Sequence, residues 1–368
     1  MIVIIRCNDI VSDPRAMKYV RFLQEKGVEY KLIGWDRDGK RADIPHAVMW
    51  GKKAGYNVGG LHAVKNRIGW LWFVYRQLVK MGMTDAVLHG CDIDSAFPAA
   101  CYKIFHRKVK VIFDVFDWFS ATLYNQKGYI LKAFKMMEEF AIKQCDYVII
   151  CEPERIEQIP YEIPSEKVLL LPNIPYFNKE LALERIPLYK FDNDKITFSY
   201  VGGLSTERCL SEVLDIAAEG KINLLIAGFG ANSIQDKINS LKDCPNIRFF
   251  GKVKYEDGLQ IMYNSDVIYA MYSICNPNHV YAAPNKFYEA MMLGKPLFTT
   301  KGTIVERKVN DLGIGYTSGE TKEEILHTIG EIQIADMKIK GEKALSLWKS
   351  KYSNYTEEFM KGIYSGII

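Results

Sequence analysis

The amino-acid sequence predicts an α/β protein of two doubly wound, Rossmann-like parallel-sheet domains facing a cleft. Three observations carry that prediction. Short continuous runs of Val, Ile and Leu alternate with stretches of helical periodicity along most of the chain, the pattern of parallel strands covered by helices on both faces. The alternation comes as two separate series, and two series make two such domains. Between them lies "LPNIPYFNKE", residues 171–180, rich in Pro and Asn as linkers are. A chain of 368 residues is long enough to give each domain its own core.

The first series places strands at 1–6, 29–34, 85–89, 109–113, 146–151 and 167–171, with helices near 14–26, 62–82, 95–106, 128–144 and 153–159. Its opening "MIVIIRC" is too short for a signal peptide and reads as a buried first strand. The second series places strands near 196–201, 222–227, 247–251, 266–271 and 296–300. Its helices fall near 207–219, 232–241, 255–263, 284–293, 303–310 and 321–330, and a last helical stretch covers about 335–364. The helix over 284–293 shows its bounds most plainly. Pro284 suits the first helical position, where no N–H is needed, Gly294 suits the stop, and Pro296 blocks continuation.

Composition narrows the class. The hydrophobic fraction is 48% and the charged fraction 25%, as in globular proteins, and no apolar run reaches membrane-spanning length. The eight cysteines contain no C-x-x-C pair, which argues against metal ligation and a disulfide framework and makes a reducing cytosol the expected compartment. Residues 1–150 carry 23 Lys+Arg against 15 Asp+Glu, whereas 151–368 carry 25 against 29. The basic first part suits an anionic partner such as a lipid surface or a phosphorylated acceptor; an uneven spread of solvated lysines would give the same count.

Two glycine-rich strand ends and one helix start in the second series carry the chemistry. "FSYVGGLSTERCLSEVLDIA", 198–217, is strand, glycine turn, helix. Gly202 and Gly203 admit a ligand close to the backbone, the helix start offers free N–H groups, and Arg208 adds a fixed positive charge. "LLIAGFGAN", 224–232, repeats the design with Gly228 and Gly230, but Ser233 leaves the G-x-G-x-x-G fingerprint incomplete and weakens an oxidoreductase reading. In "APNKFYEAMMLGKPLFTT", 283–300, Asn285, Lys286 and Glu289 share a face opposite Phe287, Ala290 and Met291. Lys286 for a diphosphate and Glu289 for a ribose hydroxyl pair would define a nucleotide-diphosphate site. The same spacing also suits an ordinary surface ion pair between them.

Taken in order, these segments resemble the family-4 glycosyltransferases of the bacterial surface-polysaccharide type, which have the GT-B fold of two Rossmann-like domains. "DPRAMKYVRFLQEKGVEYKLIGWDRDG" resembles their first strand–helix–strand unit, and "DAVLHGCDIDSAFPAACYKIFHRKVKVIFDVFDWFS" their His-x-x-Asp strand end with the following Asp-x-His-Asp segment. "CDYVIICEPERIEQI" with "KVLLLPN" resembles the end of the first domain, and "YVGGLSTERCLSEVLDIA", "NIRFFGKV" and "PNKFYEAMMLGKPLF" the donor-binding domain.

The resemblance implies a retaining, metal-independent, hexosyltransferase-type enzyme with no cofactor. It would move a sugar from a UDP- or GDP-linked donor to a hydroxyl of a saccharide acceptor on a lipid carrier. It implies an acceptor-binding domain over 1–172, completed by the C-terminal helix of about 350–368, and a donor-binding domain over 173–349. It places the enzyme in the cytoplasm at the inner face of the plasma membrane, with peripheral membrane contact and no nucleic-acid partner. Gly202, Gly203, Arg208, Gly228, Asn285, Lys286 and Glu289 are the implied donor-binding residues, Glu289 being the second Glu of the family's Glu–seven residues–Glu motif. The first Glu falls on Tyr281, one glycine-turn cation on Gly203, and the histidine of the Asp-x-His-Asp pattern on Phe116. Pro284, Lys286 and Glu289 match a Pro-x-Lys-x-x-Glu variant, in which Lys286 replaces the missing cation.

Asp117, and Asp92 in the cluster His89–Gly90–Cys91–Asp92, are the candidates to orient or deprotonate an acceptor hydroxyl; helix capping or loop hydrogen bonding is the alternative for each. Asp13 and Arg15 are the candidate acceptor-binding residues, with a helix cap and a surface charge as the favoured alternative. "KNRIGWLWFVYRQLVKMGM", 65–83, is apolar nearly all round. It suits either a bilayer interface or a core helix burying the stripe Ile68–Leu71–Trp72–Tyr75–Leu78, with Trp70 or Phe73 exposed, and burial is favoured. A sugar-nucleotide epimerase of the same fold, and a non-catalytic accessory subunit of a partner glycosyltransferase, are the competing functions.

Overall fold

The computed structural model describes residues 1–10, 13–37, 39, 44–54, 60–123, 128–175 and 181–368, with the side chains of 60–63 left aside. The chain divides into two compact units, Met1–Pro172 with Glu357–Ile368, and Asn173–Thr356. Part of the expected linker, 176–180, lies outside the described residues.

Seven strands build the first sheet: β1 (Ile2–Arg6), β2 (Tyr30–Trp35), β3 (Ala47–Trp50), β4 (Val87–Cys91), β5 (Lys110–Val115), β6 (Tyr147–Ile150) and β7 (Val168–Leu170). All pair in parallel, in the order β3-β2-β1-β4-β5-β6-β7. The helices are α1 (Pro14–Glu25), α2 (Gly60–Met81), α3 (Ile93–Phe105), α4 (Phe119–Thr122) and α5 (Gly128–Gln144). Strand order reverses between β1 and β4, and ligands of such sheets bind beyond the strand ends at that switch.

The second sheet has β8 (Thr197–Leu204), β9 (Asn223–Gly230), β10 (Ile247–Phe249), β11 (Val267–Ala270), β12 (Leu297–Thr300) and β13 (Gly315–Ser318). They are parallel in the order β10-β9-β8-β11-β12-β13, with the switch between β8 and β11. Its helices are α6 (Leu210–Ala218), α7 (Asn232–Ser240), α8 (Tyr255–Tyr263), α9 (Pro277–Val280), α10 (Asn285–Leu293), α11 (Ile304–Leu312), α12 (Lys322–Gly330) and α13 (Ile334–Leu347). The chain then continues as short helical and π-helical turns, and residues 357–368 return to the first unit. There the hydroxyl of Tyr364 lies 2.8 Å from Nδ1 of His89 on β4, both side chains fully buried.

The edge strands β3 and β13 are absent from the sequence expectation. β13, Gly-Tyr-Thr-Ser, writes no continuous apolar run of the kind that marks a central strand; β3, Ala-Val-Met-Trp, is apolar but only four residues long and half-buried throughout. The segment expected as a helix at 153–159 is a 3-10 turn, Pro153–Gln158. Pro284 stands one position earlier than expected, as the N-cap of α10.

The expected face of α2 is corrected. Its buried stripe is Asn66, Trp70, Val74 and Leu78, while Ile68 and Trp72 are each 61% exposed. A helix with apolar residues on several faces does not say which one is covered. Tertiary partners decide it here: Trp70 stacks on Trp35 at 5.9 Å between ring centroids and donates its indole N–H to the Asp94 carbonyl at 3.0 Å.

Candidate functional site

The second unit gathers its cations where β8 and β9 end. Gly202 pairs with Gly228 and Gly203 with Phe229 in the parallel register. Gly202 and Gly228 have φ of +154° and +148°. A Cβ on Gly228 would lie 1.8 Å from the Gly202 carbonyl oxygen, so the two backbones meet only because no side chain intervenes. Gly203 is exposed, and nothing lies within 4 Å of where its Cβ would stand.

The ammonium of Lys286 reaches this turn from the first turn of α10. A Cβ at Gly202 would be 2.8 Å from Lys286 Nζ, and Nζ sits 4.9 Å from the centroid of the Tyr200 ring. Tyr200 is held by a hydrogen bond from its hydroxyl to the Gly203 carbonyl. Burial pushes the Lys286 pKa down to about 8, with Glu289 opposing the shift and Arg208 adding to it. Arg208 ends the short turn Thr206–Arg208, after which Cys209 takes a left-handed conformation and opens α6. Its guanidinium lies 4.1 Å from the Tyr272 ring centroid, and Nη1 is buried without a hydrogen-bond partner. Two cations thus share one field, each lying on an aromatic face. Neither has a carboxylate within ion-pair distance among the described residues.

Glu289, one turn beyond Lys286, is buried, and its Oε1 accepts a hydrogen bond from the Tyr255 hydroxyl at 2.9 Å. The expected alternative, an exposed Lys286–Glu289 surface pair, does not describe these residues. Asn285 is exposed at the first position of α10. Tyr281 follows α9 and is half-buried.

In the first unit the candidate carboxylates are knit into the strand ends. Asp92 has φ 64° and ψ 168°, a conformation favoured by glycine. The turn aims its carboxylate away from α3: Oδ2 accepts from Arg6, and Oδ1 accepts from the backbone N–H of Phe116 at 2.9 Å and of Asp117 at 3.3 Å. Burial pushes the Asp92 pKa up to about 6, opposed by Arg6 and reinforced by Asp117. Asp117 is far more open, its side chain 58% exposed, and it accepts from Arg155 at 2.8 Å.

Asp13 caps α1, accepting from the N–H groups of Arg15 and Ala16, and also accepts from Arg6 at 2.7 Å. Arg15 is neither a surface charge nor open to an acceptor. It is buried, with Nη2 2.7 Å from Asp114 Oδ1 and Nη1 2.9 Å from the Leu171 carbonyl oxygen. Asp114 also accepts from Tyr19 at 2.7 Å, and despite burial Arg15 and His89 hold its carboxyl well below the usual range. His89, Cys91 and Asp114 stand close enough to suggest a metal cluster, but Arg15 already supplies the positive charge that a cation would bring to Asp114.

Sequence reasoning missed Tyr200, Tyr255 and Tyr272, which seat Lys286, Glu289 and Arg208. It also missed Arg6, which joins Asp13 to Asp92. An aromatic residue within two positions of the glycine turn was the available signal for Tyr200.

No family model and no curated protein matches the chain. Solved structures do. Sucrose-phosphate synthase from Thermosynechococcus elongatus is similar over 100% of this chain and 98% of its own, at 14% identity and a TM-score of 0.75. The Anabaena protein HepE, in complex with UDP and glucose, is similar over 99% and 100%, at 10% identity and a TM-score of 0.69. A Listeria monocytogenes protein named for a UDP-N-acetylglucosamine 2-epimerase is similar over 100% and 96%, at 12% identity and a TM-score of 0.62. At such identities the likeness establishes the fold: two Rossmann-like parallel-sheet domains of the GT-B class.

Proposed function

We propose that the chain is a glycosyltransferase that takes a sugar from a nucleotide-diphosphate donor. The observation that carries this reading is the pairing of Lys286 with Arg208 beside an uncovered glycine turn. Two cations with no carboxylate within ion-pair distance among the described residues suit a diphosphate, whose charge grows as the glycosidic bond breaks. They supply the positive charge that a divalent ion would otherwise bring, which supports a metal-independent reaction; in this reading the enzyme is of hexosyltransferase type and uses no cofactor. Glu289, oriented by Tyr255, would accept from the ribose hydroxyls, and Gly202, Gly203 and Gly228 would let the diphosphate approach the backbone. Asn285 would contribute from the open start of α10. The UDP and glucose held by HepE, a protein of the same fold, support a nucleotide-sugar as the donor.

In the reaction, the bond between the anomeric carbon and the diphosphate oxygen breaks, and a bond to the acceptor hydroxyl oxygen forms with retained configuration. The hydroxyl proton passes to a base, for which Asp117 is the more open of the two candidate carboxylates. Asp92, whose oxygens hold Arg6 and the 116–117 backbone, positions that segment. The acceptor of this reading is a saccharide on a lipid carrier, in surface polysaccharide synthesis at the inner face of the plasma membrane.

Calorimetry with UDP, GDP and their sugars tests the donor site. Binding of one nucleotide diphosphate, weakened at least tenfold by Lys286→Ala and by Arg208→Ala, is expected. Binding that neither substitution changes would overturn the site. The likeness to the Listeria protein favours one second reading, an epimerase. Donor consumption that proceeds equally without any acceptor would decide for it.

A further inference from the structure

We infer that the outward face of α2 is a docking surface for an anionic lipid bilayer. The inference stands on the first unit alone and does not depend on the donor site. α2 carries apolar residues on two faces. The inner one is spent on Trp35, Trp50 and the α3 backbone. The outer one is open, with Ile68 and Trp72 each 61% and Val79 54% exposed. At about 100° per residue these three fall within one narrow sector of the helix. Tyr75 stacks on Trp72 at 6.3 Å between centroids and 14° between planes, which stiffens the centre of the stripe.

The charges single out the occupant. The 22 residues of α2 contain Lys65, Arg67, Arg76 and Lys80 and no Asp or Glu. Arg67 is committed inward, 2.8 Å from Asp94 and over the Phe119 ring at 3.8 Å. The other three lie along one border of the exposed stripe. Lys65 and Lys80 are exposed beyond either end of it, and Arg76 is exposed between them. An apolar stripe with a Trp at its middle and cations along its edge is the layout of a helix that lies in a membrane interface. There the ring enters the acyl boundary while the ammonium and guanidinium groups reach the phosphates. No described helix is long and apolar enough to cross a membrane, so the contact is with the surface. The excess of Lys and Arg in residues 1–150 strengthens the attraction.

The test is co-sedimentation of the full chain with vesicles of phosphatidylcholine alone and with vesicles one-third phosphatidylglycerol. The chain is expected to bind the anionic vesicles at least tenfold more tightly, and less so in high salt. Ile68→Ser with Trp72→Ser, and separately Arg76→Glu with Lys80→Glu, should each reduce that binding tenfold or more. Ile334→Ser, a still more exposed apolar position on α13, should leave it unchanged, and circular dichroism melting should show all variants folded. Failure of the chain to bind anionic vesicles would overturn the inference, as would equal binding to neutral ones. Undiminished binding by the Ile68/Trp72 variant would do so too. Vesicle binding does not require nucleotide, so its loss and the loss of nucleotide binding are separable results.

Discussion

The ammonium of Lys286 stands where a side chain at Gly202 would begin: a Cβ at 202 would lie 2.8 Å from Nζ. Position 202 must therefore be glycine for two reasons, its φ of +154° and the cation that fills its empty side-chain space. Gly202→Ala is expected to displace Lys286 from the Tyr200 face. Nucleotide-diphosphate affinity should fall at least tenfold, with a stability loss of about 1–3 kcal/mol from the backbone conformation. Calorimetry and urea unfolding measure the two effects separately.

Lys286 also costs the folded protein stability. Burial holds its pKa at about 8, below the usual 10.5, so the unfolded chain binds the proton more tightly. That destabilisation is complete below pH 8 and fades as pH rises from 8 to 10.5. Lys286→Met should therefore raise the ligand-free stability at pH 7 by about 1 kcal/mol, or about 2–4 °C in Tm. It should also shrink the thermal shift given by nucleotide at a fixed concentration. A Tm lower than that of the parent would contradict this account.

The same group sets a pH dependence of binding. A bound diphosphate favours the charged ammonium, so affinity should decline as pH climbs past about 8, by up to tenfold per pH unit. Lys286→Met should bind weakly with a flat profile over the same range. Isothermal titrations at successive pH values, in buffers of different ionisation enthalpy, would also show proton uptake on binding by the parent only.

Asp92 offers a test of strain against hydrogen bonding. Its backbone sits in a region that glycine occupies without penalty, while its carboxylate ties Arg6 to the 116–117 backbone. Asp92→Gly and Asp92→Ala lose the carboxylate alike, but only alanine keeps the strain. Asp92→Gly should be the more stable by about 1–3 kcal/mol in chemical denaturation. Equal stabilities would mean that the turn relaxes freely.

The sequence revealed elements whose residues answer to one environment. Central strands such as Ile2–Arg6 and Val267–Ala270 are buried on both faces and so appear as continuous apolar runs. The edge strand Gly315–Ser318 meets a mixed environment and leaves no such mark. The helix Gly60–Met81 is apolar toward the core and toward solvent, and only the position of Trp35 and of the Asp94 carbonyl selects the inner face. At the site, Gly202, Lys286 and Glu289 were legible because glycine turns and helix starts are local. The tyrosines beneath them were not, since Tyr255 meets Glu289 across 34 positions. Arg15 looked like a surface charge because nothing near it in sequence announces Asp114, 99 residues away.

The return of residues 357–368 to the first unit, with Tyr364 against His89, bears on how the molecule is made. Asn173–Thr356 is one uninterrupted stretch, so on a ribosome it can reach its native state while its neighbour still waits. The first unit begins the chain yet closes its core last, when Tyr364 emerges. Stalled or clipped chains that lack this tail would expose Tyr19 and His89 in an otherwise assembled half.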